Sequence, residues 1–310
     1  MAVTAAMVKE LREMTGAGVM ACKNALVETD GNFESAIELL RKKGEATAVK
    51  KAGRIAAEGA VLAIVEEDKN AAIVEVNSET DFVAKNDKFK TFVANVADQV
   101  LATSASDVEG LLAEKFIKDE SKTVKEELVS QIAVIGENLT IRRFAKINSD
   151  GIVVPYIHAG GRIGVLVEAS TSVVNDEVKE ALKNIAMQIT AMKPVYTNDS
   201  EVDEEYKAHE LEIIKSQIEN DPKMAGKPEK VINGAIMGRL NKQLKEICLL
   251  DQVYVKAEDG KQSVAQYVAQ VAKANNATVA VKGFVRFETG EGIEKKEENF
   301  AEEVAKQMNA

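Results

Sequence analysis

The chain has 310 residues, enough at about 150 residues per domain for two domains or more, each with its own core. Its 40 Lys and Arg against 50 Asp and Glu give a net charge of −10, which argues against binding of the nucleic-acid backbone as the main role. This net charge does not exclude a local basic patch. The only two cysteines, Cys22 and Cys248, lie far apart in the sequence and do not suggest a disulfide framework. Charged residues at Lys9 and Arg12 interrupt the apolar core that a signal peptide would need. No apolar run is long enough to span a membrane. We therefore expect a cytoplasmic protein.

The N-terminal part of the chain is predicted to form three short helices. The first lies between Thr4 and Gly16, and a second follows it. The third begins at Asn32, and Gly44 is expected to end it. The next segment, residues 45–54, has few apolar anchors and predicts a linker or an exposed helix.

The remainder of the chain contains a repeat. Two apolar hairpins are predicted, each followed by a helix with an Asn-Asp start, and their strands are Ala60–Glu66, Ala71–Asn77, Ile152–His158 and Ile163–Ser170. Matching residues are separated by 93 positions in the strands, by 89 in the helix after the hairpin, and by 140 in the next helix and the final strand. Both halves are thus predicted to follow the order strand, strand, helix, helix, strand.

The changes in offset locate two additions. The first half carries about four extra residues within Asn77–Lys85, and the second half carries about fifty between its two helices. Since a duplicated scaffold needs neither addition in order to fold, both are candidates for function.

The long addition, Thr197–Ile247, is predicted to be a protruding helical hairpin with an apolar seam that requires a partner surface. Its expected seam and turn residues are Val202, Tyr206, Ile213, Ile214, Pro222, Gly226, Pro228, Ile232, Ile236, Leu240, Leu244 and Ile247. A further helix, docked on the rest, is predicted over Ile293–Asn309.

Catalytic motifs are scarce in this sequence. The two histidines, His158 and His209, lie in different predicted elements, and no HExxH, CxxC or phosphate-binding GxxxxGK[ST] motif occurs. The glycine-rich stretch Gly160–Gly164 joins two strands and is interpreted as a hairpin turn.

The short addition places Asp81 and Phe82 between a strand and a helix. In one interpretation Asp81 caps a helical turn and Phe82 folds back into the core. In the other, Phe82 is an exposed binding anchor, which the absence of an Asp-Phe pair from the matching connection Thr171–Val174 favours.

Several collinear motifs resemble the bacterial elongation factor Ts family over essentially the whole chain. They are Leu11–Leu26 (LREMTGAGVMACKNAL), Glu75–Lys85 (EVNSETDFVAK), Ile135–Asn138 with Ile141–Arg143, Arg162–Val167 and Gly290–Lys295. The resemblance implies an α+β fold: a three-helix module similar to a ubiquitin-associated domain, a duplicated core with antiparallel strands, an inserted coiled-coil hairpin and a C-terminal helix. The expected divisions are residues 1–54, 55–148, 149–289 with the hairpin at about 197–247, and 290–310.

The resemblance also implies a function. Members of the family are guanine nucleotide exchange factors for elongation factor Tu, so we expect neither covalent catalysis nor a cofactor or metal, and neither membrane nor direct nucleic-acid binding. In the family, an Asp-Phe loop and a histidine reach the GTPase domain of Tu beside its Mg²⁺ site. These roles carry over to Thr80, Asp81, Phe82, Val83 and His158. Other contacts with Tu carry over to Arg12, Val19, Met20, Lys23, Ile135, Gly136, Glu137 and Asn138.

Two alternatives remain open at this point. One is a cofactor-free enzyme that uses Asp81, Glu79 or His158, although the sequence places no paired acid and base together. The other is a dimeric adaptor that is built on the helical hairpin and binds other proteins through its N-terminal module.

Overall fold

The computed structural model describes residues 3–294, and three helices form a module at the N-terminal end. They are α1 (Ala5–Thr15), α2 (Val19–Glu28) and α3 (Phe33–Lys51). Thr4 caps α1 by accepting a hydrogen bond from the backbone N–H of Met7, and Gly16 ends this helix in the left-handed conformation. The module has its own small core, formed by Val8, Leu11, Cys22, Ala25, Leu26 and Ala36.

Gly44 does not end the third helix, and that prediction was wrong. The helix continues to Lys51 because Gly44 packs against a later helix, where a Cβ at this position would lie 3.6 Å from Val129 and 3.7 Å from Ala133. Packing of this buried residue against the later helix offsets the cost of about 1 kcal/mol that glycine imposes on a helix interior. The residues after Gly44 are therefore largely helical.

The first half of the repeat contains an antiparallel sheet in the order β1-β2-β5. Its elements are β1 (Glu58–Glu66), β2 (Asn70–Ser78), α4 (Asp81–Lys85), α5 (Asp87–Ala102), α6 (Val108–Ala113), β3 (Lys115–Phe116), β4 (Asp119–Thr123), α7 (Val124–Ile135) and β5 (Thr140–Asn148). The helix α5 covers one face of this sheet and buries Phe89, Phe92 and Val96 there. The small hairpin β3-β4 was not predicted.

The second half contains an antiparallel sheet in the corresponding order β6-β7-β8. Its elements are β6 (Ile152–His158), β7 (Ile163–Thr171), α8 (Asp176–Met192), α9 (Glu204–Glu219), α10 (Glu229–Ile247), α11 (Val264–Ala274) and β8 (Val279–Glu288). The described residues therefore form a mixed α+β structure with antiparallel sheets, as expected. The predicted helix over Ile293–Asn309 lies outside them except for its first two positions.

The repeat is confirmed by irregularities that recur at the predicted offsets. The strand pairing shifts between Glu75 and Val76 in the first sheet, and between Glu168 and Ala169 in the second. Such a bulge inserts an extra residue into one strand, so its recurrence fixes the structural equivalence of the two sheets.

The buried glutamines Gln99 and Gln188 also occupy equivalent positions. The side-chain oxygen of Gln99 accepts from the backbone N–H of Ile117 at 2.7 Å, and that of Gln188 accepts from Val255 at 2.8 Å. Each glutamine side-chain nitrogen also donates to the backbone carbonyl two residues before that N–H, which belongs to Lys115 in the first half and to Val253 in the second. In both halves, a buried glutamine of the helix that covers the sheet thus holds a later segment of the chain by the same pair of hydrogen bonds.

The long addition is a hairpin of two antiparallel helices, α9 and α10, that pack on each other. The buried seam contains Ile214 and Ile218 on the first arm and Ile236 and Leu240 on the second. Ile213, which was expected in the seam, is 38% exposed. The seam follows Leu211, Ile214 and Ile218 at helical spacing, so Ile213 lies on the outer side of α9.

The two sheets meet face to face through a small apolar cluster, which includes Val61, Ile73, Val153, Leu166 and Phe287. At its edge the fully buried Glu75 accepts hydrogen bonds from Arg142 and Arg143 and from the backbone N–H of Gly290. Among residues 3–294, no helix has both the length and the apolar character needed to cross a bilayer.

Candidate functional site

The connection between β2 and α5 is longer than the equivalent connection in the second half. It contains residues 79–86, whereas the equivalent connection between β7 and α8 contains only residues 172–175. The additional length forms the one-turn helix α4. Thr80 rather than Asp81 caps this turn, and its hydroxyl accepts from the backbone N–H of Val83 at 3.4 Å.

Phe82 is the most exposed large apolar side chain among the described residues, at 80%. The next two residues, Val83 and Ala84, pack against the core of the first half. Because the turn is anchored through these two residues, its opposite side carries Phe82 into solvent. The interpretation in which Phe82 folds back into its own core is therefore wrong.

Asp81 lies beside Phe82 and forms an ion pair with Lys85, with Oδ2 and Nζ 2.6 Å apart. This hydrogen bond holds the pKa of the Asp81 carboxyl below its ordinary value. Both side chains are exposed, so the pair adds little to stability. The exposed aromatic ring therefore has a fully ionised carboxylate as its neighbour at neutral pH.

The turn after α7 holds the segment that precedes Phe82. One oxygen of the Glu137 carboxylate accepts from the backbone N–H groups of Glu79, at 3.1 Å, and of Thr80, at 3.0 Å. Its other oxygen accepts from the Thr80 hydroxyl at 2.6 Å. Three donors of the loop thus converge on a single carboxylate.

The loop also accepts a hydrogen bond from the turn after α7. The Glu79 carboxylate accepts from the backbone N–H of Asn138 at 2.6 Å and lies 3.5 Å from the Arg54 guanidinium. The side-chain Nδ2 of Asn138 donates to the backbone carbonyl of Arg54 at 2.8 Å. Lys51 donates through its Nζ to the backbone carbonyl of Gly136. The predicted segments around Phe82 and Glu137 therefore meet in the structure.

Four residues of this arrangement differ in how accessible they are. Gly136 is exposed with a positive φ of 88°, and Glu137 is half-buried. Ile135 packs partly against the core, and Asn138 is buried. Sequence reasoning did not single out Arg54, since its role depends on contacts with residues far away in the chain.

His158 lies at the end of β6, on the turn that leads into β7. Its Nδ1 is 3.1 Å from the Tyr156 hydroxyl, and the imidazole is exposed. The same turn contacts β1, because the carbonyl of Gly161 accepts from the N–H of Val61 at 2.7 Å. Val61 pairs with Glu75, three residues or about 10 Å before the end of β2. The turn that follows His158 therefore lies beside the strand pair β1-β2, of which β2 leads into the Phe82 loop.

The N-terminal module presents a separate surface. Arg12, Val19, Met20 and Lys23 are all exposed, and Val19 and Met20 are 50% and 63% accessible. They lie at the junction of α1 and α2 together with the exposed Met14. The module is fixed to the core through α3, where Arg41 pairs with Glu126 at 2.6 Å.

The candidate acid and base groups do not form a catalytic pair. Asp81 is paired with Lys85, Glu79 bonds to Asn138, and the neighbour of His158 is Tyr156. Among residues 3–294 there is also no group of three His, Cys, Asp or Glu residues suited to hold a metal ion. What the described residues do show is an exposed aromatic ring on a loop held by several hydrogen bonds, an arrangement that favours contact with another protein.

Comparison with known proteins gives one consistent family. A family model described as Elongation factor TS matches residues 79–291. Elongation factor Ts of Clostridioides difficile (strain 630) is 52% identical over 307 residues, covering 99% of both chains. Elongation factor Ts of Clostridium novyi (strain NT) is 50% identical over 309 residues, again with 99% of each chain covered. The chain therefore belongs to the elongation factor Ts family.

Proposed function

We propose that this chain is a guanine nucleotide exchange factor for elongation factor Tu in translation elongation, and that it acts by binding rather than by covalent chemistry. The loop carrying Asp81 and Phe82 inserts near the Mg²⁺ site of the GTPase domain of Tu and promotes release of GDP. The observation that carries this proposal is the exposed Phe82 on a turn that only one half of the repeat contains. Family membership supports the same role.

The physical basis is negative coupling between two ligands of one protein. A GTPase holds GDP through contacts of the phosphates with Mg²⁺ and with backbone N–H groups. A protein that binds more favourably when those contacts are loosened must weaken GDP binding, and GDP must weaken its binding equally. Insertion of an aromatic ring beside the metal site is one such mode of binding.

The magnitudes require more than the Phe82 ring. Acceleration of GDP release by about 10⁴ corresponds to about 5.5 kcal/mol. Burial of one phenylalanine contributes roughly 1.5–3 kcal/mol. Further contacts must supply the rest, and we assign them to His158, to the exposed Gly136 with its neighbours Ile135, Glu137 and Asn138, and to Arg12, Val19, Met20 and Lys23.

The proposal extends to the organisation of the chain. Residues 1–54 are assigned to the three-helix module similar to a ubiquitin-associated domain, and residues 55–148 and 149–289 to the two core halves. The C-terminal module expected over residues 290–310 lies outside the described residues beyond Glu294. The hairpin at about 197–247 is a coiled coil available for self-association. In the described structure its buried isoleucines are covered by its own two arms, so we assign self-association to the outer surface of the hairpin and not to its apolar seam.

The test is release of labelled GDP from Tu, followed by stopped-flow fluorescence. Phe82→Ala is expected to slow catalysed release about tenfold or more, because the wedge contribution is lost, and to leave much of the affinity. Val174→Ala is the matched control, since Val174 is an apolar residue, 54% exposed, in the equivalent connection of the second half. An unchanged rate for Phe82→Ala would contradict the insertion mechanism.

A further inference from the structure

Hydrogen bonds in both directions join residues 79–80 to residues 137–138, almost sixty positions apart in the chain: the N–H groups of Glu79 and Thr80 donate to Glu137, and the N–H of Asn138 donates to Glu79. We infer that Glu137 is a positioning residue: its carboxylate fixes the Phe82 loop in the free protein, ready for insertion into a partner. This inference rests on the proposed exchange function, but its structural part concerns the free protein alone.

The first argument is the number of donors that one side chain satisfies. A carboxylate is an acceptor-only group, and the Glu137 carboxylate accepts from two backbone N–H groups and one hydroxyl at 2.6–3.1 Å. Hydrogen bonds to an ionised acceptor are about twice as strong as neutral ones. Glu79 and Thr80 lie directly before α4, so fixing them fixes the start of the helical turn that carries Phe82.

The second argument is that Glu137 is itself well anchored. The preceding helix α7 buries Val124 and Ile132 in the core, and Gly136 ends it in the left-handed conformation. The following Asn138 is buried and is bonded to both Glu79 and Arg54. The donors of the loop therefore meet a carboxylate whose backbone is held on both sides.

The third argument is that Phe82 itself contributes little to holding the loop. It is 80% exposed, so the buried contacts of α4 come from Val83 and Ala84. A binding loop that is already ordered loses less conformational entropy when it inserts. Since both Glu137 oxygens already accept from the loop, we assign the Glu137 carboxylate to ordering the loop and leave the contact with Tu proposed for this turn to the neighbours of Glu137.

The structural test is amide hydrogen exchange of the free protein. In Glu137→Ala the amides of Glu79 and Thr80 are expected to exchange about tenfold faster, the effect of losing a hydrogen bond to a charged group. Glu137→Gln should restore most of the protection, because its amide oxygen still accepts from both N–H groups and its nitrogen can donate to the Thr80 hydroxyl. Unchanged protection of both amides in Glu137→Ala would overturn the inference.

The functional test separates rate from affinity in GDP release from Tu. Glu137→Ala should slow release at saturating concentration by about tenfold, and Glu137→Gln by much less. Val268→Ala, a core substitution in the second half, controls for lost stability and should leave the rate unchanged. If Phe82→Ala slows release while both Glu137 variants behave like the unmodified protein, the inference fails and the proposed function stands. If Phe82→Ala has no effect but the Glu79 and Thr80 amides lose protection in Glu137→Ala, the insertion mechanism fails and the positioning of the loop stands.

Discussion

The two connections between hairpin and helix show how one fold can carry different roles. In the second half, four residues (172–175) join β7 to α8, and in the first half eight residues (79–86) join β2 to α5. Both connections end with an asparagine cap, Asn175 and Asn86. Because the shorter connection suffices for folding, the additional turn with Phe82 is free to serve binding. The difference between the halves therefore separates what the scaffold requires from what has been added to it.

Shortening the longer connection would break this comparison most directly. If residues 79–86 are replaced by the Ser-Val-Val-Asn of residues 172–175, the exchange activity should be lost altogether while the fold is kept. The reason is that the second half already closes the same sheet and helix with this length. GDP release from Tu and circular dichroism would measure the two outcomes. Retained exchange with an intact fold would show that the additional turn is not the acting part.

The equivalent glutamates of the two central strands should differ strongly in stability. Glu75 is fully buried and bonded to two arginines, whereas the half-buried Glu168 accepts from the Ser149 hydroxyl at 2.7 Å. Glu75→Ala is expected to cost about 3 kcal/mol of unfolding free energy, because it removes the acceptor of the buried Gly290 N–H and the buried carboxylate that two half-buried arginines share. Glu168→Ala should cost about 1 kcal/mol. Urea unfolding measures both, and equal losses would mean that Glu75 has no special role between the halves.

The buried glutamines provide the opposite case, in which the halves should behave alike. Gln99→Ala and Gln188→Ala each leave the equivalent loop N–H and carbonyl groups without their partner. We expect each substitution to lower the unfolding free energy by about 1–3 kcal/mol. Thermal or urea unfolding is sufficient to compare them. A large difference between the two would sharpen the comparison by showing that these hydrogen bonds stabilise only one half.

The smallest expected effect is a difference in acid sensitivity at the last strand of each half. Arg286 and Lys193 donate to Glu288 and lower its pKa to about 2, whereas Asn148 at the equivalent position does not titrate. Since the folded pKa lies below the unfolded value of 4.5, this stabilisation is present above pH 4.5 and is lost as the pH falls towards 2. The difference in unfolding free energy between the unmodified protein and Glu288→Gln should therefore shrink between pH 6 and pH 3. A constant difference would contradict the assignment.

The sequence was sufficient to predict what depends on periodicity and repetition. The offsets of 93 and 140 located both sheets, and the bulges at Glu75 and Glu168 fall on them. The four-residue excess likewise singles out the Phe82 loop from the sequence alone. These features are encoded locally or by internal comparison, so a single chain contains the information.

Features that depend on distant contacts were not predictable. Gly44 predicted a helix end, but contacts with Val129 and Ala133 maintain the helix. The hydrogen bonds from Glu79 and Thr80 to Glu137 join residues whose proximity only the closed β2-β5 pairing creates. In both cases the outcome depends on residues far away in the chain: they override the tendency of Gly44 to end a helix, and they supply the acceptor for the N–H groups of Glu79 and Thr80.

The continuity of α3 has a consequence for how the protein meets a partner. This helix has 19 residues and so is about 28 Å long; its first turns pack in the core of the N-terminal module, and its end is bonded to the turn at Gly136. One unbroken helix therefore couples the orientation of the module to the turn that precedes Glu137. One inserted residue would advance one end of the helix by about 1.5 Å and rotate it by about 100° relative to the other, so that the surfaces around Val19 and Phe82, which we propose to contact Tu, would lose their present relative orientation.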